Sequence, residues 1–400
     1  MLALAMSAGA MAQSGTYSNM TAYPLPASAV PEEIAAGPDG ALWFTDWAGG
    51  KIGRITTAGA ITEYAPPTPN SDPFGIAAGP DGAMWFTEEI GKVGRIGPPG
   101  TIEEFDIPGS NPYGITLGPD GALWFADFAG NKIGRITTAG NYVEYPLPNP
   151  NSSPYEITAG PDGALWFTEF TGPRIGRITT AGAITEFPLS DQPWDITAGP
   201  DGALWFTQDF ANQIGRITIS GQFTEYPLPA PQTDPTGITG GPDGALWFTE
   251  EGTPARIGRI TTSGVITAYP VTAATEGWRI TTGPDGALWF TGHYNSAIGR
   301  APACGLGVSA TFANSTLTMN FNLGINTPAT FAIHLRDASG PFAEPFTKNI
   351  PAVVPPQPFT MTWNGFPNLG EVTVQPTLAT QPGGAGLGLC SEWTAVNTAQ

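Results

Sequence analysis

A phrase close to Gly-Pro-Asp-Gly-Ala-Leu-Trp-Phe-Thr recurs seven times along this chain of 400 residues. The tryptophans of the phrase are spaced by 42 or 39 residues: Trp43, Trp85, Trp124, Trp166, Trp205, Trp247 and Trp289. A repeat of about 40 residues is typical of chains in which every repeat forms one small sheet or one group of helices. The period therefore predicts seven similar structural units between about residues 31 and 300.

Each unit contains four short β-like runs separated by turn residues. In the fourth unit these runs are 157–159, 164–168, 174–179 and 183–187. Pro161, Asp162 and Gly163 suit a tight turn, because proline fixes φ, aspartate bonds nearby backbone and glycine accepts a positive φ. The 3.6-residue periodicity of helices is missing. Residues 15–300 are therefore predicted to form an all-β, seven-bladed β-propeller with four-stranded blades.

The seventh unit ends at Ile298, Gly299 and Arg300 without a fourth strand of its own. Near the N-terminus, residues 21–26 read Thr-Ala-Tyr-Pro-Leu-Pro and match the fourth-strand phrase Glu-Tyr-Pro-Leu-Pro at 225–229. An open ring would leave unpaired strand edges, which favour aggregation. We predict that residues 21–26 complete the seventh blade and close the ring.

Two charged residues recur in every unit, and residues that repeat seven times around a ring are expected to serve the scaffold. The turn aspartates are Asp39, Asp81, Asp120, Asp162, Asp201, Asp243 and Asp285. The arginines of the Ile/Val-Gly-Arg phrase are Arg54, Arg95, Arg135, Arg177, Arg216, Arg259 and Arg300. We expect both sets to form turns and ion pairs between blades.

Residues 1–14 contain an apolar run and a small-x-small sequence at 10–12, which predict a secretory signal and a secreted or periplasmic protein. The segment lacks the positive charge with which such signals begin, so a truncated start or a frayed tail is the alternative. No later segment is apolar for long enough to span a bilayer, so we expect no transmembrane segment. A net charge of −19 disfavours nucleic acid as a partner, since phosphate binding needs lysine and arginine.

Beyond Arg300 the repeat stops, and residues 316–323 alternate between polar and apolar side chains. This alternation, with further runs at 329–335, 359–363 and 371–376, predicts a β-sandwich-like domain over 301–400. The two cysteines of the chain, Cys304 and Cys390, predict one disulfide in an exported protein. Metal ligation by the pair is the weaker alternative, because no histidine or second cysteine pair has ligand spacing.

The residues at the start of each first strand differ between units, unlike the rest of the repeat. In radial blades with the first strand innermost, these starts and the ends of the second strands meet at one mouth of the central channel. Rigid rings offer contact area at small entropic cost, so we expect an aromatic ligand-binding rim there: Phe74, Tyr113, Tyr155, Trp194 and Trp278. Packing of these rings between blades is the alternative.

The ends of the second strands are mostly acidic: Asp46, Glu88, Asp127, Glu169 and Glu250. Crowded carboxylates raise one another's pKa unless a cation neutralises them, so this set is a candidate site for Mg²⁺ or Ca²⁺. A hydrated acidic rim without a metal ion is the alternative, because no calcium-loop spacing is present.

The phrases GPDGALWFTE, IGRITTAG and TEYPLP are similar to those of the streptogramin (virginiamycin B) lyases, and the resemblance covers about residues 17–300. It implies a seven-bladed propeller that opens a cyclic depsipeptide antibiotic by magnesium-assisted elimination at its ester linkage. An elimination of this kind needs a general base.

In that family the base and its partner are histidines in Pro-His-Gly-Ile or Pro-His-Ala-Ile phrases at the start of the last two blades. The matching positions carry Thr236 and Trp278 here, and neither side chain can act as a general base at neutral pH. Glu276 matches a family glutamate, and His293 lies where another family glutamate stands. His293, oriented by Glu276 or Glu250, is therefore a candidate for a relocated base, with a histidine bonded to backbone or solvent as the alternative.

Together these residues favour a ligand-binding module that takes a saccharide, a peptide or a surface ligand at the channel mouth and requires no cofactor. One alternative is a carbon–oxygen lyase that opens cyclic depsipeptides with a divalent metal and a displaced base. Another is a structural element of an extracellular or envelope assembly. Replacement of His293 is expected to abolish a lyase activity, whereas replacement of Trp194 would mainly weaken binding.

Overall fold

The computed structural model describes residues 20–98, 100–271 and 276–301, and beyond Ala301 it describes the backbone of eight further strands. Within the first three ranges the chain forms seven four-stranded antiparallel sheets. The predicted seven-bladed β-propeller is confirmed. In the described part of the chain, no helix has the length and apolarity that a bilayer span requires.

The strands follow one another in chain order, and β1 (Thr21–Pro24) belongs to the last blade. Blades one to three consist of β2 (Pro31–Ala36), β3 (Leu42–Asp46), β4 (Lys51–Ile55), β5 (Ile61–Tyr64); β6 (Pro73–Ala78), β7 (Met84–Glu88), β8 (Lys92–Gly97), β9 (Thr101–Asp106); and β10 (Pro112–Leu117), β11 (Leu123–Asp127), β12 (Lys132–Ile136), β13 (Tyr142–Pro146).

Blades four to six consist of β14 (Pro154–Ala159), β15 (Ala164–Glu169), β16 (Arg174–Thr179), β17 (Ile184–Pro188); β18 (Ile196–Ala198), β19 (Ala203–Gln208), β20 (Gln213–Thr218), β21 (Phe223–Pro227); and β22 (Pro235–Gly240), β23 (Leu246–Glu250), β24 (Arg256–Ile260), β25 (Ile266–Pro270). The seventh blade combines β26 (Ile280–Thr282), β27 (Leu288–Gly292) and β28 (Ala297–Ala301) with β1.

The N-terminal strand closes the ring, as the sequence predicts. Strand β1 runs antiparallel to β28 with Thr21 opposite Arg300. The Tyr23 ring stacks on Trp289 of the seventh blade, with 5.6 Å between ring centroids. The Leu25 amide donates to the Ser296 carbonyl at 2.8 Å, which extends the pairing past the strand. The two ends of the propeller are therefore joined by hydrogen bonds and core packing.

The repeated aspartate and arginine form a clip inside each blade. In blade four, Asp162 accepts hydrogen bonds from the Trp166 indole and the Ala164 amide, and its second oxygen accepts one from Arg177 at 2.6 Å. The same aspartate–arginine pair occurs in all seven blades. The expectation of ion pairs between blades was wrong, because the turn and the third strand that carry the two residues belong to the same sheet.

The hydrophobic core lies between neighbouring blades. In one cluster, Trp124 and Ile133 of blade three pack with Ile157, Leu165 and Phe167 of blade four. A single blade cannot cover its own apolar faces, so each blade depends on the next around the ring.

In six of the seven blades, a buried threonine of the second strand forms hydrogen bonds that join the start of its own first strand to the start of the first strand in the next blade. Thr207, for example, accepts a hydrogen bond from the Asp195 amide of its own blade and donates to the Thr236 carbonyl of the next blade at 2.6 Å. The other five are Thr45, Thr87, Thr168, Thr249 and Thr291. Ala126 takes the place of this threonine in blade three. These bonds fix the positions from which side chains reach the channel mouth.

Replacing Thr45 by valine tests this threonine bond at constant shape. The change removes the acceptor for the Glu33 amide, in a part-buried hydrogen bond, and the donor to the Phe74 carbonyl, in a buried one. We expect the free energy of unfolding to fall by about 1–3 kcal/mol, because two backbone groups shielded from water lose their partner. Urea titration gives the value. The exposed Thr62 of β5 provides a matched control, and an equal loss in Thr62→Val would contradict the assignment.

Beyond Ala301 the strands form two antiparallel sheets. They are β29 (Ser309–Ala313), β30 (Thr316–Ile325), β31 (Ala329–Asp337), β32 (Gly340–Pro341), β33 (Phe346–Ile350), β34 (Val353–Asn364), β35 (Val372–Thr380) and β36 (Thr394–Val396). One sheet has the order β29-β30-β34, and the other joins β32, β31, β35 and β36, with β33 also paired to β31. The predicted signal at residues 1–14 and the predicted disulfide between Cys304 and Cys390 lie outside the described residues.

Candidate functional site at the mouth of the central channel

The first strand of every blade is innermost. Strands β2, β6, β10, β14, β18, β22 and β26 each contact the first strands on either side, and together they make a closed ring. Each of them is hydrogen-bonded to only one strand of its own sheet. The residues at the start of these strands therefore surround one mouth of a central channel.

The structure brings the five predicted aromatic residues together in one continuous cluster. Centroid distances along the cluster are 4.3 Å from Phe74 to Tyr113, 5.3 Å from Tyr113 to Tyr155, and 5.2 Å from Tyr155 to Trp194. Trp194 then meets Trp278 edge to face at 5.5 Å, past the smaller Thr236 of blade six. Phe74, Tyr155 and Trp278 are buried, whereas Tyr113 and Trp194 are partly exposed. The rings therefore pack on one another, and the two partly exposed rings are the ones accessible from the mouth.

A buried arginine crosses the channel beside these rings. The guanidinium of Arg279, 1% exposed, lies 2.6 Å from Glu156, 3.5 Å from Asp195 and 3.7 Å from Glu33. It also lies over the Tyr155 ring, 5.4 Å from the centroid. One cation thus links carboxylates from three other blades. The sequence shows these four residues at first-strand starts but gives no sign that they meet.

Burial determines how the carboxylates around Arg279 hold protons. Loss of hydration raises the pKa of Glu33 to about 7, although the arginine opposes the shift. Burial likewise raises the pKa of Glu156 well above its usual range and raises that of Asp195. Three carboxylates around one arginine leave an excess of negative charge, so part of this cluster is protonated near neutral pH.

The acidic residues at the ends of the second strands do not meet, contrary to the expected ring. Asp46 accepts hydrogen bonds from the Val30 and Gly49 amides of its own blade, at 2.8 and 3.0 Å. All five are buried within their own blades: Asp46, Glu88, Asp127, Glu169 and Glu250. They do not fit one Mg²⁺ or Ca²⁺ ion. Among the described residues, no three histidine, cysteine or acidic side chains are grouped to hold a metal ion.

The residues that face the mouth lie one position later in the sequence. Successive side chains of a strand point to opposite faces, so a shift of one residue exchanges blade interior for channel mouth. The mouth-facing set is Trp47, Glu89, Phe128, Phe170, Asp209, Glu251 and His293. Phe128 and Phe170 both contact Tyr155 and so extend the aromatic cluster.

Four carboxylates from blades five to seven form an acidic patch at the mouth: Asp209, Asp234, Glu251 and Glu276. Burial, and then the charges of the other three, raise the pKa of Glu251 to about 8. Burial and the charges of Asp234 and Asp191 raise the pKa of Asp209 to about 6. Asp234 and Glu251 also line a cleft of about 410 Å³ with residues 231, 232, 252 and 253.

His293 lies beside a glutamate that the sequence did not indicate. Its Nδ1 lies 2.8 Å from Oε1 of Glu32, and its ring is 5.0 Å from that of Trp278. Nδ1 is buried, while 21% of the side chain is exposed, so the accessible part of the ring is turned away from Glu32. The expectation that Glu276 or Glu250 orients His293 was wrong, because Glu32 from the first blade occupies that place.

The sequence model of the virginiamycin B lyase family matches residues 3–194 and 190–313. The chain belongs to the virginiamycin B lyase family.

Solved structures of this lyase family have the same propeller. A streptogramin B lyase is 40% identical, with a TM-score of 0.67 and coverage of 70% of this chain and 96% of the enzyme. A virginiamycin B lyase from Staphylococcus aureus is 41% identical, with a TM-score of 0.67 and coverage of 70% and 98%. An extracellular two-component-system domain from B. thetaiotaomicron, 14% identical with a TM-score of 0.57 and coverage of 95% and 57%, shows the fold alone. No curated protein sequence matches the chain.

Thr236 and Trp278, the two positions that the resemblance matches to the family's histidines, make contacts within the scaffold. The Thr236 hydroxyl donates to the Trp278 carbonyl at 2.9 Å and bonds to the Thr249 hydroxyl at 3.0 Å. The Trp278 indole donates to Glu32 Oε2 at 2.8 Å. Both side chains are buried and neither carries a base. These two positions now fix the shape of the mouth.

Proposed function

We propose that this member of the lyase family is a secreted or periplasmic ligand-binding module whose site is the mouth of the propeller channel. The ligand is a saccharide, a peptide or a surface group. The observation that carries the proposal is the continuous cluster of rings from Phe74 to Trp278, which offers aromatic faces at a concave opening.

Two further observations support a ligand site at the mouth. The buried Arg279 and its three carboxylates hold the surrounding rings in place, so the site is pre-organised and loses little entropy when a ligand enters. A catalytically inactive variant of the Staphylococcus aureus enzyme has been solved with quinupristin, so a relative with 41% identity accommodates a ligand of that size.

Binding is tested by glycan and peptide arrays probed with the whole chain. We expect Trp194→Ala to weaken capture of every bound ligand by about tenfold or more, because it removes the ring between Tyr155 and Trp278. Tyr142→Ala removes an aromatic ring, 43% exposed, from an outermost strand and serves as the control. Equal capture by the wild-type protein and Trp194→Ala would place the binding surface elsewhere.

A second candidate function, a carbon–oxygen lyase with a displaced base, rests on the Glu32–His293 pair. Because Nδ1 lies 2.8 Å from Glu32, Nε2 is the ring nitrogen left to accept a proton from a ligand. In that case His293→Ala would remove turnover while leaving ligand affinity almost unchanged. Trp194→Ala would instead raise KM with little change in kcat, because it removes contact area common to ground and transition states.

A further inference from the structure

Exposed apolar side chains surround the mouth and form a second layer outside the aromatic cluster. We call this set the apolar crown: Trp47, Ile90, Phe210 and Tyr294, which are 37%, 45%, 68% and 67% exposed. Each follows the end of a second strand by one or two residues, so all four lie at the same end of the propeller as the mouth. Large apolar groups left exposed around one opening are typical of an interaction surface.

The acidic patch inside this crown has no cationic partner among the described residues. None of its four carboxylates takes part in a salt bridge in the described ranges, whereas Glu169 and Glu250 are each 3.5 Å from an arginine of their own blade. Glu251 interacts with Asp209, Asp234, Glu276 and Glu32, all of the same sign. An added cation would therefore relieve repulsion at a partly buried site.

We infer that the ligand of the mouth is a cationic peptide in which lysine or arginine side chains are interspersed with apolar ones. The inference rests on the proposed binding function and names its ligand class. The positive side chains enter the cleft beside Asp234 and Glu251, and the apolar ones contact the crown and the rings of Trp194 and Phe170. Charge complementarity favours this occupant over an anionic one.

The charge state of the patch makes this binding depend on pH. The carboxylates that face Glu251 are Asp209, Asp234, Glu276 and Glu32, and the phenol of Tyr294 also faces it. Below the raised pKa values of Glu251, about 8, and Asp209, about 6, both groups take up protons and lose their attraction for a cation. Affinity for the peptide is therefore expected to fall as the pH drops from 8.5 to 5.5, over the interval set by these two groups.

The test uses fluorescence polarisation with the whole chain and three labelled peptides. Each probe alternates tryptophan with one other residue: lysine, glutamine or glutamate. We expect the lysine probe to bind about tenfold or more tighter than the glutamine probe at pH 8, and the glutamate probe not to bind. The double variant Asp209→Asn/Glu251→Gln should lose about tenfold for the lysine probe and lose the pH dependence.

A matched control separates the patch from the net charge of the protein. Glu103→Gln/Asp106→Asn makes the same change in charge on the outer strand β9, where both side chains are exposed, and it should bind the lysine probe like the wild type. Equal losses in the two double variants would overturn the inference.

Failure of the inference can be told apart from failure of the proposed function. If the glutamine probe or a glycan binds as tightly as the lysine probe and Trp194→Ala abolishes that binding, the ligand class is wrong and the binding site stands. If the lysine probe binds equally to the wild type, to Trp194→Ala and to Phe210→Ala, the mouth is not the binding site.

Discussion

A chain that starts at Ala27, without β1, is expected to melt about 10 °C or more below the full propeller. The truncation removes the Tyr23 ring from its stack on Trp289 and removes the buried Leu25 from the core between the last and first blades. Loss of one such aromatic residue alone costs about 3–5 kcal/mol. A change of 1 kcal/mol shifts the melting temperature of a domain of about 250 residues by about 2–4 °C.

The effect should spread over the whole ring because it opens the ring. Tyr64→Ala is the matched comparison, since Tyr64 makes the same stack on Trp43, at 5.7 Å, inside a blade whose four strands are consecutive in the chain. That variant should lose stability but keep one cooperative transition. The truncated chain should also bind aggregation-detecting dyes more than the full chain does, because strand β28 is left with an unpaired edge. An unchanged melting temperature after truncation would contradict closure by β1.

Arg279→Met is expected to destabilise the propeller by about 3–5 kcal/mol at pH 8, because it leaves Glu33, Glu156 and Asp195 buried without a counter-charge. The loss should shrink towards pH 5, since carboxyl groups that take up protons no longer need the arginine. Chemical denaturation at both pH values measures the difference. Arg279→Met combined with Glu156→Gln should recover part of the loss, because one of the stranded charges is removed.

The wild-type protein carries a weaker version of the same pH dependence. The pKa of Glu33 is about 7 in the folded state, above the value of about 4.3 for an unperturbed glutamate. The folded state therefore holds a proton that the unfolded chain releases, and this group's contribution is full below about pH 4.3 and is lost as the pH rises through 7.

Arg216→Met is the control for Arg279. Arg216 pairs with Asp201 at the blade surface, where ion pairs contribute about 0–1 kcal/mol. The Asp201 pKa is lowered by its hydrogen bonds to Trp205 and Arg216 against the opposing effect of burial, so this pair stays ionised between pH 5 and 8. A pH-dependent loss in Arg216→Met as large as that in Arg279→Met would contradict a special role for the buried arginine.

The repeat made the fold and part of the site predictable. Seven spaced tryptophans determined the number of blades, and the match between residues 21–26 and 225–229 predicted the pairing that β1 and β28 make. The five rim aromatics could be found because they vary where the rest of the repeat does not. Each of these inferences depends only on the spacing of residues and on matches between repeats, and both can be read directly from the sequence.

Other features of the mouth depend on orientation and on contacts across the ring. Asp46 and Trp47 are neighbours in sequence, yet one is buried in the blade and the other is exposed at the mouth, because side chains alternate along a strand. Glu32 and His293 are 261 positions apart and meet only because the ring closes. The repeated phrase Leu-Trp-Phe-Thr pointed to the threonines. It could not show that each hydroxyl donates to a backbone carbonyl of the next blade, because any residue can supply that carbonyl.

We propose that the mouth has kept the geometry for binding and lost the family's elimination chemistry. The most direct test is incubation of the purified protein with a streptogramin B depsipeptide and Mg²⁺, followed by mass spectrometry. A streptogramin B lyase serves as the positive control, and His293→Ala is run in parallel. We expect the depsipeptide to remain cyclic with both the wild type and His293→Ala. Magnesium-dependent linearisation by the wild type, lost in His293→Ala, would contradict the claim and establish a lyase with a displaced base.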